Sequence, residues 1–78
     1  MQLSTAVRQR IVNLAIEQNI TLHQLSLNAG IPYSTLSSFL NGKSQDPKLS
    51  TILHICEGLH ISLNEFFSDD LFLDVIFD

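Results

Sequence analysis

TLHQLSLNAGIPYSTLSSFLNG, residues 21–42, reads as two short helices joined by a glycine-centred turn. Thr21 can cap the first helix, its hydroxyl accepting a free amide of the first turn, and Gln24 can reach back to complete a capping box. Leu22, Leu25 and Ala29 follow at helical spacing and make one apolar stripe. Gly30 stands just past that stripe, where a left-handed residue most easily ends a helix. Ile31 can then enter the core, and Pro32 can open the next helix because its missing amide is not needed there.

The second helix is expected over residues 33 to 40 or 41, with Leu36, Phe39 and Leu40 on its inner face. Ser34, Ser37, Ser38 and Asn41 fall on the other face at i, i+3, i+4 and i+7. Asn41-Gly42 is a strong stop signal. This is the layout of a helix-turn-helix, which places its second helix in the major groove of DNA. A plain helical hairpin with a solvated serine face has the same spacing.

Beyond this segment, a first helix is expected over residues 4 to 18, with Val7, Ile11, Leu14 and Ala15 inward. Residues 43 to 47 read as a loop, and residues 48 to 59 as a helix with the stripe Ile52, Ile55, Cys56 and Leu59. Ser62 and Glu65 form a second capping-box pattern ahead of a short helix through Leu63, Phe66 and Phe67. Elements this short hold only by packing on one another. The reading is therefore an all-α, compact five-helix bundle over residues 1–68, followed by a short apolar and acidic tail, residues 69–78.

The series Ile11, Leu14, Thr21 to Leu25, Ala29-Gly30-Ile31-Pro32, Ser34 to Ser37, Asn41-Gly42-Lys43, Pro47, Leu53 to Leu59 and Ile61 to Phe67 resembles the lambda-repressor-like helix-turn-helix domain. This is the Cro/repressor type, also called the xenobiotic-response-element family. The resemblance implies a five-helix fold, binding to double-stranded DNA and a two-fold homodimer. On it, Tyr33, Ser34, Thr35, Ser37 and Ser38 are the expected base-reading residues. Hydroxyls can donate or accept to several bases, and Tyr33 can pack on a thymine methyl. Thr21, Gln24, Asn41, Lys43 and Lys48 are the expected phosphate contacts. The chain departs from the family at Leu22, where many relatives carry a polar residue, and at Asp46, where relatives often carry a base. Ala15 and Leu40 stand where many relatives pair an Arg with a Glu. Replacing both partners avoids stranding a charge.

The formal net charge is −4, from four bases and eight acids. Nucleic-acid-binding domains are commonly basic, because phosphate neutralisation supplies much of the affinity. The distribution matters here. Asp69, Asp70, Asp74 and Asp78 lie in the tail, while residues 1–68 balance Arg8, Arg10, Lys43 and Lys48 against Glu17, Asp46, Glu57 and Glu65.

The tail, SDDLFLDVIFD at residues 68–78, carries more large apolar groups than a solvated end needs. It can be helix or strand. It can fold back on its own bundle, join a homodimer interface or dock on another protein. The homodimer is the expectation adopted, with Phe66, Phe67, Leu71, Leu73, Val75 and Phe77 at the contact.

Other functions find little support. His54, Glu57 and His60 step by three and drift around a helix, and no His-Glu-x-x-His, Cys-x-x-Cys or glycine-rich phosphate loop is present. No enzyme, metal or cofactor is expected. The single cysteine, Cys56, sits on an apolar stripe, where a buried inert thiol is expected. No secretory signal or membrane span is read, which suits a cytoplasmic protein. Two function classes remain. One is a small transcriptional regulator binding an operator. The other is an antitoxin-like or anti-repressor interaction module that works through the tail.

Overall fold

The computed structural model of the protein describes residues 1–42 and 46–76. It is all-helical: α1 Leu3–Glu17, α2 Leu22–Ala29, α3 Tyr33–Leu40, α4 Leu49–Leu59 and α5 Leu63–Phe67, followed by a 3₁₀ turn, Asp70–Phe72. Each expected helix is present within a residue or two of its expected ends. No helix is long and apolar enough to cross a membrane among the described residues.

The apolar stripes meet in one core. Val7, Ile11 and Leu14 of α1, Leu25 of α2, Leu36 and Phe39 of α3, Ile52, Ile55, Cys56 and Leu59 of α4, and Phe66 of α5 are all buried in it. Leu22 and Leu40, two of the departures from the family pattern, are partly buried against this core, and Ala15 is buried.

Helices α1, α2 and α4 end by the same device. Asn19, Gly30 and His60 each adopt left-handed φ, at 58°, 70° and 60°. The isoleucine that follows each one sends its amide back to the helix: Ile20 to Ala15, Ile31 to Ser26 and Ile61 to Cys56, at 3.0–3.1 Å. All three isoleucines then pack on the core. This is the Schellman closure, in which the terminal carbonyls are satisfied and an apolar side chain folds under the helix end. Gln18 reinforces the first of these corners, its side-chain amide donating to the carbonyl of Leu59 at 2.7 Å.

The N-terminal caps follow the sequence in part. The Thr21 and Ser62 hydroxyls accept the amides of Gln24 and Glu65, each at 3.0 Å. The side chain of Gln24 does not reach back; its amide donates to Asn28 Oδ1 at 2.8 Å.

Residues 69–76 fold onto their own bundle. Asp69 caps the 3₁₀ turn, its carboxylate accepting the amide of Leu71. Phe72 packs against the core and against Phe66 and Phe67, with ring centroids 6.1 and 5.0 Å away. Ile76 then pairs with Gln2 in an isolated parallel bridge, through Leu3 N to Ile76 O at 3.2 Å and Ile76 N to Met1 O at 3.0 Å. The tail is thus one 3₁₀ turn and one isolated bridge over the described residues, not an α-helix or a strand of a sheet.

Candidate nucleic-acid interface

The exposed side chains of the α2–turn–α3 unit are mostly polar, with Leu27 an apolar exception. Its turn is set by Gly30 and Ile31, and its two helices are held from below by Leu25, Ala29, Leu36 and Phe39. Pro32 is the N-cap of α3, so the helix starts at Tyr33. Tyr33, Ser34 and Thr35 are exposed, whereas Ser37 and Ser38 are half-buried. The residues expected to read bases therefore gather on one helix and are most open in its first turn. Asn41, the C-cap of α3, donates from its side chain to Ser37 Oγ at 3.2 Å.

Of the expected phosphate contacts, Thr21 and Gln24 lie exposed at the start of α2 and Asn41 at the end of α3. The Thr21 oxygen accepts a helix amide, which leaves its hydroxyl hydrogen to donate outward. Lys48, the N-cap of α4, is exposed. It borders a cleft of about 290 Å³, with Thr35, Leu36 and Phe39 on one wall and Asp46, Pro47 and Thr51 beside it. Lys43 falls outside the described residues, as does Phe77 of the tail set.

The tail set divides. Phe66, expected at an interface, is 0% exposed and belongs to the chain's own core, because the turn after α5 folds Phe72 over it. Leu71 and Val75 are half-buried. Phe67, Leu73 and Ile76 remain exposed, at 39%, 76% and 62%.

Three side chains have roles that the linear pattern did not reveal. Arg10 is one of the four bases, but it is turned inward, with its side chain 12% exposed. It donates to the carbonyls of Glu65 and Phe66 at the end of α5 and pairs with Asp69 at 3.1 Å. That clamp removes one base and one acid from the outward charge. The only available signal was a long side chain beside the stripe of Val7, Ile11 and Leu14. Arg8 lies over the Phe39 ring, 5.6 Å from its centroid, and donates to Thr5 Oγ1. His23 stacks on Tyr33, and nothing in residues so far apart in sequence signals it.

The apolar surroundings push the Cys56 thiol above its ordinary value, an effect that Arg10 partly opposes. It is a packing residue. His54 and Glu57 approach to 3.5 Å on the exposed face of α4. No group of three His, Cys, Asp or Glu side chains is arranged to hold a metal among the described residues.

This geometry meets a known pattern. The family model of the Cro/C1-type HTH DNA-binding domain matches residues 10–70. The chain belongs to that family. Membership points to a non-enzymatic, DNA-binding role in general terms. The crystal structure of the prophage Lp1 protein 11 superposes with a TM-score of 0.82 at 29% identity, covering 96% of this chain and 100% of that one. Protein P2 of Acyrthosiphon pisum secondary endosymbiont phage 1 is 34% identical over 53 residues, which is 68% of this chain and 55% of that protein. The chain thus spans about half the length of this curated relative. The five helices and the turn at Gly30 are those of a Cro/C1-type domain.

Proposed function

We propose that this Cro/C1-type protein is a small transcriptional regulator that binds double-stranded DNA sequence-specifically, with α3 in the major groove. One observation carries the reading: the exposed first turn of α3, with Tyr33, Ser34 and Thr35 open above a buried Leu36 and Phe39. Ser37 and Ser38 extend that face. Thr21, Gln24, Asn41, Lys43 and Lys48 contact the phosphates on either side. The net charge of −4 is spread unevenly: four of the eight acids lie in the tail, and the Arg10–Asp69 pair takes one of the four bases out of reach of phosphate. With few bases, non-specific affinity is low, and hydroxyl contacts together with DNA shape supply the discrimination.

The protein acts as a homodimer, which sets two reading helices about 34 Å apart, one turn of duplex. The surface for it is the apolar part of the folded tail, with Phe67, Leu73 and Ile76 exposed and Leu71 and Val75 half-buried. Such a regulator works in the compartment that holds its DNA, the cytoplasm.

Selection from a pool of random duplexes at low and moderate salt tests the reading. A recovered palindromic motif is expected, with Ser34→Ala changing base preference and Lys48→Gln weakening all sequences alike, with a salt slope smaller by roughly 0.9. Retention of all sequences equally, or of none, refutes it. Sedimentation at high micromolar concentration tests assembly: a monomer refutes the dimer.

A further inference from the structure

His23 and Tyr33 make a contact that the core does not require. The imidazole in the first turn of α2 and the phenol at the first residue of α3 lie with ring centroids 3.6 Å apart and planes 7° from parallel. Both residues are exposed, and the helices that carry them are already joined through Leu25, Ala29, Ile31 and Leu36. The stack therefore holds a side chain in place and not the two helices.

An exposed tyrosine at a helix start would otherwise distribute among its staggered rotamers. A stacked neighbour covers one face of its ring and favours one orientation, by roughly 2- to 10-fold for aromatic pairs. Tyr33 keeps 37% of its surface exposed, in the first turn of α3. A phenol so held can meet a thymine methyl with its face, or a base edge with its hydroxyl, at one fixed position in the groove.

We propose that His23 is a positioning residue for DNA reading: it orients Tyr33 by ring stacking, so the base preference exerted by Tyr33 depends on His23. This rests on the DNA-reading role of α3 proposed above.

The chain has one tyrosine and no tryptophan, so the tyrosine ring resonances in an NMR spectrum belong to Tyr33 alone. In the free protein, His23→Leu removes the stacked ring and should shift those resonances, whereas His23→Phe should retain the ring-current effect. Duplex selection with Tyr33→Ala identifies the base position that Tyr33 reads. At that position, His23→Leu should lower the preference roughly 2- to 10-fold, leave other positions and the salt slope unchanged, and be rescued by His23→Phe. Unshifted Tyr33 resonances in His23→Leu overturn the inference. So does a preference that survives His23→Leu, or one that survives Tyr33→Ala at every position. In those cases the DNA-reading role of α3 stands, provided that the unaltered protein selects a motif. If it selects none, both proposals fall.

Discussion

Replacing Gly58 by alanine sets two effects of opposite sign against each other. Gly58 lies inside α4, where alanine is the better helix former by about 0.8–1.0 kcal/mol. Propensity alone would make the substitution stabilising. The neighbouring helix reverses that. A Cβ placed on Gly58 falls 2.8 Å from the amide nitrogen of Ala29 and 3.0 Å from its Cα and Cβ. Two of these atoms are main chain, in the last residue of α2, so no change of rotamer relieves the overlap. Helix α4 must move away from α2, which loosens the core that Leu25, Ile55 and Leu59 of these two helices share. Overpacking typically costs about 1–3 kcal/mol, and a clash with main chain belongs near 3. Subtracting the helix gain leaves a net loss of about 2 kcal/mol, or about 8–16 °C in Tm for a domain of this size. Urea denaturation followed by far-ultraviolet circular dichroism measures it, with the two proteins compared at equal m. Ala29 directly precedes the Gly30 turn, so the displaced α2 should also tilt α3 and weaken DNA binding while the variant is still fully folded. An unchanged or raised denaturation midpoint would refute the close approach of α2 and α4 on which this rests.

Arg10→Ala should cost about 1–2 kcal/mol, because it removes the side-chain donor to the Phe66 carbonyl and the ionic partner of Asp69, while Asp69 keeps the Leu71 amide and the Glu65 carbonyl keeps Ser68; chemical denaturation checks this, and an unchanged midpoint would contradict the clamp. His60→Gly should stabilise by about 0.5–1 kcal/mol, since His60 holds φ 60° at the end of α4, where only glycine is free of the left-handed penalty; a lower Tm would count against it. Burial raises the Cys56 thiol above its ordinary value of 9.0. The unfolded chain therefore ionises first, so this contribution is complete below the unfolded value and declines as pH rises towards the folded one, by at most about 1.4 kcal/mol per pH unit. Denaturation midpoints taken through that alkaline window should fall more steeply for the natural protein than for Cys56→Ala, and parallel curves would refute the assignment.

Much of this fold is legible in the chain because it is local. Helical stripes such as Val7, Ile11 and Leu14, or Ile52, Ile55 and Leu59, announce both the helix and its buried face, since periodicity and burial are the same constraint. Thr21 and Ser62 mark helix starts, and Gly30 marks a helix end because glycine is the residue that takes left-handed φ without strain. The same closure at Asn19-Ile20 and His60-Ile61 escaped the sequence reading. There a residue with a Cβ takes that conformation, and the closing hydrogen bond and the packing of the following isoleucine hold it.

The tail shows where local reasoning ends. Its run of apolar residues states that a partner surface is needed, not which one. Phe72 found it on Phe66 and Phe67, whereas Ile76 pairs only its backbone, beside Gln2, and keeps its side chain exposed. Arg10 at the carbonyls of α5, Gly58 against Ala29, and His23 over Tyr33 belong to the same class. Each depends on where two helices cross, and crossing positions are set by the joint packing of all five helices and not by any segment's own pattern. The sequence by itself determined the helices, their inner faces and the polar face of α3. Tertiary structure decided which base is spent inside the protein, which phenylalanine is core and how the Tyr33 ring is stacked, because those are properties of surfaces brought together from distant parts of the chain.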